Sequence, residues 1–174
     1  SLVTAQDVAT AGTVFEDADV RVSAALVNHP PFEVALAYRV DSADGSIAIS
    51  GDTTPCDAMV DLARDVDVLV HEVVHPTALT QLAQGTNAST IKQHMVDSHT
   101  MLDHVGQVAQ RAGARLLVLS HLIPHTGVSD EEWTAPVREH FDGDVLVGHD
   151  LDVVTLTGGT IDIQRAIRGN EVLS

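Results

Sequence analysis

The spacing of apolar positions changes several times along the chain, and each change marks an element. Apolar and polar residues alternate in "DVRVSAALVNH" (19–29) and "EVALAYRVD" (33–41), the two-residue period of half-buried strands. Asp44-Gly45 is a hairpin signal between the second strand and its partner "SIAIS" (46–50). In "PCDAMVDLARDV" (55–66) the apolar positions move to 56, 59, 60, 62, 63 and 66, one face of a helix, with Pro55 suited to its first turn. "DVLVHE" (67–72) and "RLLVLSH" (115–121) are short continuous apolar runs, as in strands buried on both faces. Between them, residues 75–98 are polar and carry Gly, Asn and Ser, which predicts a long loop with some helix. "TMLDHVGQVAQRAGA" (100–114) predicts an amphipathic helix ended by Gly113. Ser129 is placed to cap a helix over "DEEWTAPVREHF" (130–141), whose first turn is acidic. Asp142-Gly143 turns the chain into "DVLVGHDLDVVTL" (144–156), and "TIDIQRAIRGNEVLS" (160–174) reads as one more strand and a tail.

Hairpins followed by strand–helix alternation predict an α/β domain, a mixed sheet covered by helices. Four of its strand runs end in polar clusters: His29, Asp52, His71-Glu72 and Ser120-His121. The region beyond strand ends is where α/β folds build sites.

Composition narrows the chemistry. The chain has 174 residues, 44% of them hydrophobic, which suits one globular domain. Twenty-five acidic residues face nine basic ones, and Lys92 is the one lysine, giving a net charge of −16. Such a surface disfavours nucleic acid, whose phosphates need clustered Lys and Arg. No apolar run reaches the length of about 18 residues that a membrane span needs, and residues 1–10 do not read as a signal peptide. A single cysteine, Cys56, allows no intrachain disulfide, reads as buried rather than nucleophilic, and slightly favours a reducing, cytoplasmic setting. The ten histidines are the unusual feature. Imidazoles and a carboxylate at strand ends are a ligand set for zinc, manganese or iron, and one carboxylate can bridge two cations. By spacing alone, capped strand ends explain the same residues. There is no C-x-x-C, H-E-x-x-H, Gly-rich phosphate loop or G-x-S-x-G elbow.

The order of "VNHPPFEVALAYRVD", "SIAISGDTTPCDAM", "DVLVHEVVHP", "DSHTMLDHV", "LLVLSHLIPH" and "VGHDL" resembles the C-terminal half of a metallo-β-lactamase-fold hydrolase. The similarity is to the arylsulfatase-like and ribonuclease Z-like branch, and it runs from about Asp19 to Leu156. It implies half of an αββα sandwich, with a mixed sheet covered by helices on one face. It also implies two divalent cations, zinc first and manganese or iron as alternatives, holding a bridging hydroxide. In that resemblance His29 binds the first metal, Asp52 bridges both and His121 binds the second. His99 is a non-ligand histidine that assists transition-state charge or the leaving group, and Glu72 orients such a histidine. Thr53 and Thr54 are expected to hydrogen-bond Asp52 and fix it. His71 reads as structural, His149 as structural or peripheral, and His75 and His125 as residues of a pocket mouth. His94, His104 and His140 read as solvated.

One departure bears on function. The H-x-H-x-D-H motif of the resembled family is absent; "HTMLDH" (99–104) mimics it but lacks the middle histidine and follows Asp52. Residues 1–174 are therefore expected to be one partial domain, with its N-terminal half and remaining ligands outside this chain. The first functional expectation is a metal-dependent hydrolase of a small anionic ester (a sulfate, a phosphate or a cyclic phosphodiester) or of a lactone. Transfer-RNA 3′ processing is the alternative within that class. A non-catalytic half-domain serving as scaffold, binding module or homodimer is the alternative outside it.

Overall fold

The strands lie in one sheet because each apolar run pairs with its neighbour in sequence. In the computed structural model, which describes residues 7–81 and 88–166, four strands come first: β1 (Gly12–Glu16), β2 (Val20–Leu26), β3 (Leu36–Ser42) and β4 (Gly45–Ile49). They form an antiparallel meander. Then α1 (Asp57–Leu62) leads into β5 (Val68–Val74), followed by α2 (Pro76–Gln81), α3 (Ala88–Ser98) and α4 (Leu102–Ala112). Next come β6 (Leu116–Ile123), α5 (Asp130–Arg138) and β7 (Asp144–Val147), and the strands from β4 to β7 pair in parallel. The seven-stranded sheet runs in the order β1 to β7, and β8 (Val153–Thr157) with β9 (Thr160–Gln164) forms a separate hairpin. This is the expected α/β architecture.

Pleating gives the sheet two faces. One carries Ala37, Ala48, Leu69, Val73, Leu117, Leu119 and Val147 into the main core. There they meet Met59 and Val60 of α1, five apolar residues of α4, and Trp133 and Val137 of α5. Each fully buried aliphatic side chain contributes about 1.5–3 kcal/mol, so this face holds the fold together. α4 starts without a side-chain cap and ends at Gly113, whose left-handed φ of 71° closes the last turn. α5 starts at the foreseen Ser129, in a reciprocal capping box with Glu132.

The other face is also apolar. Val22, Val40, Ile47, Val68 and Leu116 sit opposite one another across five strands. Val154, Leu156 and Ile161 of the β8–β9 hairpin cover its β5–β7 end. At the β1–β4 end, Phe15, Leu26 and Ile49 are 53%, 41% and 46% exposed. Among the described residues, α1, α4 and α5 thus pack on one face of the sheet and the β8–β9 hairpin covers part of the other.

Local readings needed correction where long-range pairing decides the outcome. β1 carries no alternation strong enough to foresee; it exists because it pairs with β2. α1 begins at Asp57, not Pro55, because Cys56 is extended (φ −146°, ψ 153°) and sits at the N-cap. β5 runs past Glu72 to Val74, because β6 pairs alongside it. The 75–98 stretch holds α2 and α3 rather than mainly loop, apart from residues 82–87, which lie outside the described residues. "DVLVGHDLDVVTL" divides between β7 in the large sheet and β8 in the hairpin. The tail beyond residue 166 also lies outside the described residues.

Candidate metal centre

The C-terminal ends of β4, β5 and β6 lie side by side, and the segments leaving them meet the end of β2. His29 follows β2, Asp52 follows β4, Glu72 lies in β5, His99 precedes α4 and His121 lies in β6. Donor atoms of His29, Asp52 and His99 all fall within 4.8 Å of one another. His121 Nε2 is 3.7 Å from Asp52 Oδ1. The His99 ring lies 4.9 Å from the His29 ring and 6.0 Å from that of His121. All five residues singled out from the sequence thus converge on one place.

His29, His99 and Glu72 are held by definite hydrogen bonds. His29 Nδ1–H donates to the Ser98 carbonyl at 2.7 Å, which leaves the lone pair of Nε2 free. His99 Nδ1–H donates to Glu72 Oε1 at 3.0 Å, so its Nε2 is likewise free. That bond holds the His99 imidazole above its ordinary pKa, against the opposing effect of burial. Glu72 is almost fully buried, and its Oε1 also accepts the backbone N–H of Thr53 (3.0 Å) and of Thr100 (3.2 Å). One carboxylate oxygen therefore joins the segments carrying Asp52 and His99.

His121 reaches the site by a bulge. Ser120 and Leu122 pair with the consecutive residues Glu72 and Val73, so His121 is the extra residue of β6. Its φ is +44°, and its side chain is 54% exposed. Regular alternation would place it with Leu117 and Leu119 in the helix-side core.

The two threonines do a different job from the one expected. Among the described residues neither hydrogen-bonds the Asp52 carboxylate. Thr53 Oγ accepts Asn28 N–H at 3.1 Å, and Thr54 N–H donates to the Asn28 carbonyl at 2.8 Å. They fasten the β2 end, and with it His29, to the Asp52 loop. Thr100 Oγ–H closes the same knot on the Thr53 carbonyl at 2.7 Å.

No family model matches the chain. Over 143 residues it is 34% identical to a putative ribonuclease Z of Mycobacterium tuberculosis (strain CDC 1551 / Oshkosh), covering 82% of this chain and 62% of that protein. Among solved structures, it resembles the metallo-β-lactamase-fold protein YhfI from Bacillus subtilis with a TM-score of 0.58 at 21% identity, covering 77% of this chain and 49% of that one. It resembles the short form of human tRNase Z with a TM-score of 0.56 at 19% identity, covering 84% of this chain and 46% of that one. The chain has the metallo-β-lactamase fold, and its sequence is similar to those of ribonuclease Z proteins. It spans 49–62% of the length of the ribonuclease Z proteins it matches.

The donor set fits divalent cations: the Nε2 atoms of His29 and His121 stand near the Asp52 carboxylate, with the other His29 nitrogen fixed by the Ser98 carbonyl, and His99 stands beside them. The other histidines lie elsewhere. His71 is fully buried on the helix side of β5, with Nδ1–H bonded to the Glu72 carbonyl at 2.7 Å. His75 packs edge-on against Trp133 at 5.1 Å, and its Nδ1 accepts Thr77 N–H. His125 and His149 line a cleft of about 910 Å³ beside His121, floored by Val118, Leu146 and Val154; His75 does not line it. His149 Nε2 also pairs with Asp130 at 2.9 Å, so it ties the cleft wall to the start of α5. His94 Nδ1–H donates to Ser98 Oγ at 3.1 Å, while His104 and His140 are exposed as expected. Cys56 is half-buried and unpaired with any disulfide partner. Sequence reasoning passed over Phe32, whose ring stacks on His29 at 5.4 Å with an interplanar angle of 6°. Its position three residues after His29, behind two prolines, was the available signal.

Proposed function

We propose that this chain carries part of the active centre of a metal-dependent hydrolase that cleaves an ester of an anionic acid, a phosphodiester before a sulfate ester or a lactone. The gathering of His29, Asp52 and His99 donor atoms within 4.8 Å of one another, with His121 Nε2 3.7 Å from Asp52 Oδ1, supports this reading most directly. In it, His29, Asp52 and His121 hold two divalent cations, zinc first. When bound, such cations supply Lewis acidity and a nucleophile at neutral pH. His29 presents Nε2 because Ser98 takes its other nitrogen. His99, oriented by Glu72, presents Nε2 to the departing oxygen as its proton donor. The remaining ligands, and a cover for the exposed apolar sheet face, come in this reading from an N-terminal half outside this chain.

A second reading, transfer-RNA 3′ processing, is favoured by the names of the ribonuclease Z relatives. The net charge of −16, with nine basic residues against 25 acidic ones, weighs against it, since an RNA backbone is held by clustered Lys and Arg.

Metal content and hydrolysis test the assignment together. Asp52→Ala is expected to lose both the bound metal and cleavage of bis(4-nitrophenyl) phosphate while remaining folded. Full metal occupancy in that variant would sink it. Salt-sensitive cleavage of precursor transfer RNA in preference to small diesters would select the second reading.

A further inference from the structure

We propose that Phe32 is an aromatic platform of this centre, on which a flat ring carried next to the scissile ester is seated. This rests on the hydrolase reading and adds a specificity-determining residue to it: ring-bearing ligands are held in preference to ringless ones.

An exposed apolar residue alone needs no explanation. Phe32 is 65% exposed, the most exposed of the chain's five aromatic side chains, while Trp133 and Phe141 lie in the core. What distinguishes it is how it is held. Phe32 N–H donates to the His29 carbonyl at 3.0 Å and closes a turn through Pro30 and Pro31. The two proline rings fix φ at both central positions. Ser98 Oγ–H donates to the Pro30 carbonyl at 2.6 Å and pins the turn to α3. The ring thus lies parallel to His29, and His29 lies edge-on to His99 at 4.9 Å. Phe32 is thus stacked on the imidazole of a candidate metal ligand while most of its own surface stays exposed.

A chain of net charge −16 gains no general attraction for an anionic ester. Stacking is insensitive to that charge and strengthens affinity about five- to tenfold for one ring. The platform therefore supplies selectivity where charge does not.

The test is equilibrium binding of three product mimics to the metal-loaded protein by calorimetry: phenyl phosphate, adenosine 5′-monophosphate and methyl phosphate. The wild type is expected to hold at least one ring-bearing ligand about five- to tenfold tighter than methyl phosphate. Phe32→Ala should erase that preference and leave methyl phosphate unchanged, whereas Phe32→Trp should keep it. A preference confined to phenyl phosphate identifies aryl esters, and one confined to the nucleotide identifies nucleoside esters; both support the platform. Equal weakening of all three ligands by Phe32→Ala would overturn it, because Phe32 would then act only through His29. No change in any of them would overturn it too. If the metal-loaded wild type binds none of the three, the hydrolase reading itself falls, and the platform with it.

Discussion

Glu72 Oε1 sits 3.0 Å from His99 Nδ1, and this one contact fixes the tautomer of the histidine nearest the candidate ligands. The same oxygen accepts two backbone N–H groups, from Thr53 and Thr100. A neutral amide at position 72 keeps an acceptor but loses the charge that favours the imidazolium. Glu72→Gln is expected to lower kcat about 10- to 100-fold with the fold intact, the usual scale for a residue that orients a functional imidazole. Glu72→Ala removes the acceptor of three buried donors and should destabilise the protein by about 3 kcal/mol in urea titrations. A wild-type rate in Glu72→Gln would show that His99 needs no orienting carboxylate.

Much of this site was legible in the sequence because its members stand at strand ends, where a local apolar run stops at a polar residue. Asp52, Glu72 and His121 were visible for that reason. What stayed hidden depends on register and on contacts between distant segments. The bulge that turns His121 out of the core is set by the pairing of β5 with β6. The bonds from Thr53 and Thr54 to Asn28 cross 25 and 26 residues, and His29 reaches Ser98 across 69. The helical periods of α1 and α4 were read correctly because amphipathic spacing is local, whereas β1 had to wait for its partner strand.

His71 makes stability depend on pH. It is fully buried, its Nε2 has no partner among the described residues, and burial holds its pKa below the ordinary 6.5. In the unfolded chain the imidazole takes up its proton near pH 6.5, while in the folded chain it stays neutral to lower pH. The unfolded state therefore binds more protons as the pH falls below 6.5, and folding stability falls with it, by up to about 1.4 kcal/mol per pH unit from this group. Urea midpoints at pH 7.5 and pH 5.5 should separate more for the wild type than for His71→Asn. An equal separation in both would remove His71 as the cause.

The left-handed backbone at His121 gives a test that separates the side chain from the bulge. At φ +44° any residue with a Cβ is strained by about 1–2 kcal/mol, and glycine is not. His121→Ala and His121→Gly remove the same imidazole, so both should lose one bound cation by elemental analysis. His121→Gly should nonetheless be more stable than His121→Ala by about 1 kcal/mol in parallel urea titrations. Greater stability of the alanine variant would mean that β6 straightens when the histidine is removed, so that the bulge depends on the ligand.

Gly51 places Asp52. Its φ is +58°, and a Cβ there would stand 2.7 Å from the Leu36 carbonyl oxygen at the start of β3. A backbone carbonyl cannot swing aside as a flexible side chain would, so an added methyl must push the loop after β4 outward. That loop carries Asp52, whose Oδ1 lies 3.7 Å from His121 Nε2. Gly51→Ala is therefore expected to cost about 2 kcal/mol of stability and to weaken metal binding at least tenfold, although it changes no ligand. Stability alone would fall if Gly51 served only the turn. Metal affinity measured under conditions where the variant is fully folded separates the two, and unchanged affinity there would mean that Asp52 is positioned by Thr53 and Glu72 without help from the glycine.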